Sequence, residues 1–535
     1  MKSYPQRTYE DVREALLAKR EIALLDVREE DPHAQCHPLF AANLSLSRIE
    51  LDAWTRLPRR DVSIVLFDAG ESFAERAADT LTSLGYTNVA LLAGGLDGWI
   101  RAGGEVFRDV NVPSKAFGEF VEAQRHTPSL SAEAVDALLK NGDDVVVLDA
   151  RRFDEYQTMN IPGSISVPGA ELVLRARALA PKPTTRVIVN CAGRTRSIIG
   201  TQSLVNAGLP NPVAALRNGT IGWTLAGQQL EQGSDRRFDP QAGLDAADID
   251  ASRRAALALA QRAGVSRTTL DEAARWAADS SRTTYRFDVR TPSEYERAHA
   301  PGFQGAPGGQ LVQETDMFAP VRGARVVLFD DDGVRANMTA SWLAQMNIDT
   351  YVVDAASPDD LTASGPWQAA KPQPASTQTL APQELAALLA DEANGAVVLD
   401  VTSSANHVKA HIPGARWIVR SRLSNAFDDL RALPDAKRYV LTCGTNALAP
   451  YIAPEVAALT GKPVHVLDGG TSAWVRAGLP VESGDAHLAS PRIDRYRRPY
   501  EGTDNARDAM NAYLEWEYGL VAQLDRDGTH GFFVI

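Results

Sequence analysis

The chain has little cysteine. Three residues in 535, Cys36, Cys191 and Cys443, leave no room for a disulfide framework, and no pair has metal-ligand spacing. Such sparing use points to a reducing compartment, and a cytoplasmic protein is expected. Long apolar runs are missing too. No apolar run reaches about 18 residues, and no charged-then-apolar signal opens the chain, so neither membrane insertion nor export is expected. Positive charge is in deficit, with 55 Lys and Arg against 68 Asp and Glu, a net charge of −13. That balance argues against a general nucleic-acid role. The length excludes a single core and predicts three or four domains.

What the chain does have is an internal repeat. A strand ending in aspartate occurs as Ala23-Leu-Leu-Asp26, Val146-Val-Leu-Asp149, Tyr285-Arg-Phe-Asp288 and Val397-Val-Leu-Asp400. A second strand follows each, ending at Asp68, Cys191, Asp330 and Cys443, which is 42, 42, 42 and 43 residues later. Helix-closing residues fall at Gly85, Gly208, Asn347 and Gly461, a further 17, 17, 17 and 18 residues on. A Gly-x-x-x-Trp element closes three copies, at Gly95 to Trp99, Gly219 to Trp223 and Gly470 to Trp474. Spacing this regular across unlike side chains predicts four copies of one α/β domain. Alternating apolar strands and amphipathic helices predict a parallel sheet in each copy, flanked by helices on both faces. Such sheets bind ligands at the carboxyl ends of central strands, where Asp68, Cys191, Asp330 and Cys443 lie.

The segment Val187-Ile-Val-Asn-Cys-Ala-Gly-Arg-Thr-Arg-Ser197 carries the most chemistry. Its uncharged β-branched run reads as a buried strand, and residues 197–208 read as a helix closed by Gly208. A thiol on that turn would face the positive end of the helix dipole and unpaired amides. Both effects predict a lowered pKa and a thiolate populated near neutral pH. Cys191 is therefore the candidate nucleophile. Ala192, Gly193, Arg194, Thr195 and Arg196 are the candidate binding turn, with Gly193 bending tightly and both arginines holding an oxyanion.

Several of these motifs together resemble the rhodanese family. They are Asp26-Val-Arg28, Asp149-Ala-Arg151 and Asp288-Val-Arg290; His411-Ile-Pro-Gly-Ala415; the Cys191 turn; and Leu92 to Trp99. The resemblance extends to about residue 485 as four tandem modules, like those of bacterial four-module thiosulfate sulfurtransferases. It implies a cysteine that takes a sulfane sulfur, holds it as a persulfide and passes it to a nucleophile. The expected domains are residues 1–107, 128–227, 266–356 and 380–485, with a helical tail at 490–535. No cofactor and no metal is expected.

The copies differ at the key position. Asp68 and Asp330 cannot form a persulfide, so the first and third copies are expected to be inactive. The third turn, Asp330-Asp-Asp-Gly-Val-Arg335, also sets three carboxylates where an anionic donor would bind. Cys36 lies off the turn and reads as structural. Cys443-Gly-Thr-Asn-Ala-Leu448 resembles the turn of the mercaptopyruvate-using branch but lacks its usual arginine partner. A second catalytic centre, a relic and a sulfur relay all stay open for it.

Residues 108–127, 228–265 and 357–379 are expected connectors, with 251–263 a helix packed between modules. Asp508 to Tyr518 reads as an amphipathic helix. The apolar end, Gly531-Phe-Phe-Val-Ile535, should dock in a groove of its own chain or of a neighbouring subunit, which leaves a homodimer open.

The leading expectation is sulfur transfer from thiosulfate, through Cys191, to cyanide or a thiol. The alternatives are a mercaptopyruvate or other persulfide donor, a non-catalytic persulfide carrier or scaffold, and a phosphatase. The phosphatase turn is one residue longer, Cys-x-x-x-x-x-Arg, whereas here Arg196 stands at Cys191 plus five.

Overall fold

The computed structural model describes residues 3–239, 244–354, 357–430 and 436–535. Residues 240–243 of the expected 228–265 connector, 355–356 at the end of the third repeat and 431–435 in the fourth lie outside the described residues. Each repeat forms a five-stranded sheet in the order first, fifth, fourth, second, third, with every pairing parallel. Parallel neighbours demand crossovers, and helices supply them on both faces.

The central strands are Ile64–Phe67, Arg186–Asn190, Arg325–Phe329 and Arg438–Thr442. Their interiors are Val, Ile and Leu, with Tyr439 in the fourth, because both faces are covered by helices. Each strand delivers its next residue, Asp68, Cys191, Asp330 or Cys443, to the carboxyl edge. The following helices close on left-handed residues, at Gly85 (φ 94°), Gly208 (67°), Asn347 (62°) and Gly461 (65°). Glycine takes this region freely and asparagine tolerates it, so the helix length is set locally.

The repeats are not beads on a string. One continuous apolar core joins the first and third sheets to helix Val112–Arg125 and to Leu520, Leu524 and Phe532 of the tail. An antiparallel bridge between Ile22 and Arg322 stitches the same two repeats. Helix Ala246–Arg262, five residues longer at its start than expected, packs between helices Leu172–Leu179 and Arg335–Gln345. Residues 108–127, expected as a connector, contain a helix buried around most of its circumference, including Lys115 and Glu119.

The tail holds two helices, Arg507–Tyr518 as expected and Leu520–Asp527 beyond it. The apolar end docks on its own chain. Phe532 is buried edge-on to Phe40 and Phe117 at centroid distances of 6.3 and 5.3 Å, and the Phe533 amide donates to the Gln345 carbonyl at 3.0 Å.

Truncating that anchor should loosen the tail. Phe532→Ala leaves a buried void and is expected to cost about 3–5 kcal/mol of local stability. Limited proteolysis between residues 490 and 535 should accelerate strongly in this variant. A tail as resistant as wild type would show that Phe532 does not hold it.

Candidate active site

Four copies of one cradle can be compared directly. In the first repeat the Asp68 carboxylate sits where the helix amides converge. Its Oδ2 accepts from the Phe73 and Ala74 amides at 2.6 and 2.9 Å, and its Oδ1 from Gly70 at 2.8 Å. In the third, Asp330 accepts from Gly333 at 3.0 Å and Ala336 at 2.8 Å. A turn leading into a helix thus holds a carboxyl group in both, with unpaired N–H groups as the ligands. In the third repeat burial and the neighbouring Asp332 push that carboxyl well above its ordinary range. In the second repeat Cys191 stands in that place, and in the fourth Cys443 does, its sulfur accepting from the Leu448 amide at 3.4 Å.

The second-repeat turn is pinned from below. The Thr220 and Ile221 amides donate to the Cys191 and Ala192 carbonyls at 2.9 and 3.0 Å. Gly219 permits this approach: it holds φ 54°, and a Cβ there would stand 2.3 Å from the Cys191 carbonyl oxygen. Gly95 and Gly470 stand likewise beneath Asp68 and Cys443, 2.7 and 2.1 Å by the same measure. This explains the glycine of the Gly-x-x-x-Trp element.

Gly193 is needed for another reason than expected. It is not in the left-handed region; instead, a Cβ would meet Tyr513 Cε1 at 3.1 Å and Glu517 Oε2 at 3.2 Å. Helix Arg507–Tyr518 therefore lies directly over the turn. Cys191 is 2% exposed as a result. Its thiol points to the Ser197 hydroxyl at 3.4 Å, and that hydroxyl donates to the Arg194 carbonyl at 2.8 Å.

Burial corrects the expected thiolate. It pushes the Cys191 thiol above its ordinary range, with Glu517 adding to the shift, and Arg196 and Ser197 only partly oppose it. The dipole and amides are present, but loss of water around the sulfur outweighs them.

The two arginines also depart from expectation. Arg194 turns away from the sulfur and grips Glu119 with both prongs at 2.7 and 2.8 Å. It further pairs with Glu122, donates to Asn218 at 3.1 Å and lies under the Tyr518 ring. A buried guanidinium must satisfy its charge, and these partners consume it. Thr195 likewise packs against Gly118 rather than facing the sulfur.

Arg196 stays near Cys191 but is bonded bidentately to Glu155 at 2.7 and 2.9 Å. Burial would raise that carboxyl, yet Arg196, Arg151 and Arg152 hold it at about 2. The same pair recurs in the third repeat as Arg335 and Glu294, 2.7 and 3.1 Å apart, with no thiol beside it. The pair is thus part of the frame. In the third turn Arg335 and Arg290 also neutralise Asp331 and Asp332, so two of the three carboxylates there are paired.

Arg196 does line an open polar cavity of about 460 Å³, with Arg151, Glu155, Gln313, Arg498 and Tyr500. Of the expected binding residues, Arg196 alone meets both this cavity and the field of Cys191.

The rest of the frame is shared. Arg28, Arg151 and Arg290 clamp Asp26, Asp149 and Asp288, and in the fourth repeat His407 replaces the arginine, its Nδ1 at 2.8 Å from Asp400. Cys36 lies off the cradle at the end of helix Glu30–Gln35, its carbonyl taking a bond from Arg28 at 2.7 Å.

The rhodanese-like domain pattern matches residues 8–102, 131–226 and 381–477. The chain belongs to the rhodanese-like family. Its third repeat falls outside those matches yet has the same strand order. No curated protein matches the chain. Among solved structures it is similar to a thiosulfate sulfurtransferase from Pseudomonas aeruginosa at 64% identity. That similarity covers 99% of this chain and 100% of the other, with a TM-score of 0.97. Proteins from Bacillus halodurans (23% identity, TM-score 0.18) and Anabaena sp. (25%, TM-score 0.19) each cover 20% of this rhodanese-like chain, and 77% and 86% of their own.

Sequence reasoning missed Glu119, Glu155, Lys115, Tyr513 and Glu517. Glu155 was findable, since it and Glu294 both stand six residues beyond the strand-ending aspartate. Nothing in the sequence linked residue 517 to residue 193.

These roles separate by mutation. With its pKa raised, Cys191 is mostly protonated at neutral pH, so alkylation by iodoacetamide should be slow and should quicken with pH beyond the usual thiol range of about 8.5. Arg196→Ala removes the opposing cation and should slow alkylation further at every pH below full ionisation. Arg194→Ala instead strands the buried Glu119 and removes the partner of the half-buried Glu122, and is expected to lower stability by about 3–5 kcal/mol. An unchanged alkylation rate in Arg196→Ala would remove the cation's effect on the thiol.

Proposed function

We propose that the chain is a thiosulfate sulfurtransferase working through Cys191. The observation that carries this is a buried cysteine sulfur in a cradle where two sister repeats hold a carboxyl group against converging amides. A persulfide ends in an anionic sulfur, and such a cradle suits it. The full-length similarity to the Pseudomonas aeruginosa thiosulfate sulfurtransferase supports the same reading.

In the first half-reaction the Cys191 sulfur attacks the outer sulfur of thiosulfate. The Cys191 S–S bond forms, the thiosulfate S–S bond breaks, and sulfite leaves with the electron pair and the thiol proton as hydrogen sulfite. In the second, cyanide or a thiol attacks the outer sulfur and Cys191 is released. Arg196, at the rim of the polar cavity, is the cation placed to meet the leaving sulfonate. Ala192 and Gly193 contribute backbone to the cradle rather than side chains.

The first and third repeats, their cradles filled by Asp68 and Asp330, act as scaffold. Cys443 has the cradle without a cation: Leu448 stands where Arg196 does, and Arg420 nearby is spent on Glu50 and Glu455. A doubly charged donor gains little there. Sparse cysteine supports a cytoplasmic setting, and no helix among the described residues is long and apolar enough to cross a membrane. The tail docked on its own chain lends nothing to a homodimer.

Mass spectrometry after exposure to thiosulfate, and separately to mercaptopyruvate, should locate a one-sulfur adduct on Cys191. Cys191→Ser should lose thiosulfate-dependent thiocyanate formation entirely. Full turnover in that variant, or an adduct on Cys443 alone, would move the centre to the fourth repeat. An adduct on Cys191 that no small acceptor removes would favour a persulfide carrier.

A further inference from the structure

Glu517 is an anomaly at this site. It is fully buried, yet its Oε2 has no hydrogen-bond partner and faces the turn at Gly193, 3.2 Å from where a side chain would begin. Its Oε1 accepts from the Tyr513 hydroxyl at 2.8 Å on its own helix. Across from it, helix Val112–Arg125 presents Lys115 and Glu119, and the turn presents Cys191 and Arg194. The cations are engaged elsewhere. Lys115 is bonded to Asp109 at 2.6 Å under the rings of Tyr500, Tyr513 and Trp516, and Arg194 is held by Glu119 and Glu122. Glu517 is thus a buried carboxyl with no cation of its own, set against the turn that would receive an anionic donor.

We propose that Glu517 is a specificity-determining residue of the Cys191 site, whose charge state sets how well a dianionic sulfur donor is admitted relative to a monoanionic one. The proposal rests on the sulfurtransferase reading above and extends it to a residue of the tail. Burial, and then the charge of Glu119, push the Glu517 carboxyl up to about 8, against the pull of Lys115, Tyr513 and Arg194. Below that pH the group is neutral and thiosulfate meets no added charge. Above it, a carboxylate beside the turn repels a double charge more than a single one.

The test compares two donors of one chemistry on the full chain. Thiosulfate is a dianion and methanethiosulfonate a monoanion; each gives up its terminal sulfur, leaving sulfite or methanesulfinate. Both stay fully ionised from about pH 6 to about pH 9.5. The ratio of their kcat/KM values cancels ionisation of Cys191, which serves both equally. In the wild type the ratio of thiosulfate to methanethiosulfonate should fall about three- to tenfold with rising pH, centred near 8. Glu517→Gln keeps the oxygen that Tyr513 bonds and should flatten the ratio, whereas Glu517→Asp should retain the fall. A flat ratio in the wild type, or the same fall in Glu517→Gln, overturns the proposal. Loss of both donors in parallel, with no change in ratio, assigns Glu517 a structural role only and overturns it too. Mass spectrometry of the same samples separates the two readings: no adduct on Cys191 with either donor defeats the sulfurtransferase assignment itself.

Discussion

The site depends on Arg194 being satisfied inside the protein. A guanidinium six-hundredths exposed costs several kcal/mol to desolvate, and removing a partner of such a pair costs about 3–5 kcal/mol. Glu119 answers it with two oxygens in one plane. That demand fixes helix Val112–Arg125 against the turn, and Gly118 is what allows the close fit, since a Cβ there would stand 2.9 Å from the Thr195 methyl. It also fixes Tyr518 over the guanidinium, and with it the helix that lays Tyr513 and Glu517 over Gly193. One ion pair therefore positions the connector, the turn and the tail together.

The four cradles show one physical solution with four occupants. Strand-to-helix turns leave amides unpaired, and something must accept from them. Asp68 and Asp330 do so with carboxyl oxygens, which locks those turns. Cys191 and Cys443 place a sulfur there instead, a weaker acceptor whose amide contacts are long, 3.4 Å from Leu448 to Cys443. The second and third repeats also share the Glu155–Arg196 and Glu294–Arg335 pair, while the first and fourth have Phe73 and Leu448 in the arginine's place. Cation and thiol thus vary independently among the repeats, and the second alone has both.

Much of this architecture was legible because it is local. Strand ends, the 42- to 43-residue spacing between paired strand ends and the left-handed residues closing each helix are short-range consequences of residue type, and each is found where that spacing places it. The thiol on its turn was legible for the same reason. The purpose of Arg194 was not, because it is decided by Glu119, 75 residues away and in a segment with connector composition. The raised pKa of Cys191 was missed likewise: the helix dipole can be read from sequence, but the burial that outweighs it comes from a helix more than 300 residues further on. Gly193 illustrates both sides, being correctly singled out but needed for a close approach rather than for a bend.

That distant helix gives the repeats without a thiol a physical task. The helix over Cys191 packs on Ile221 and Leu225 of the second repeat, and the segment that follows it is anchored elsewhere. Leu520, Leu524 and Phe532 enter the core shared by the first and third sheets, Phe532 against Phe40 and Phe533 bonded to Gln345. Arg526 adds an ion pair with Glu105 at 2.7 Å, near the end of the first repeat. A single module offers the cradle and the thiol, and the tail helix is what covers them. The surrounding repeats supply the apolar area that a short tail needs to stay docked. The environment of the Cys191 sulfur, its exclusion of water and the carboxyl facing its turn, is accordingly a property of the whole chain.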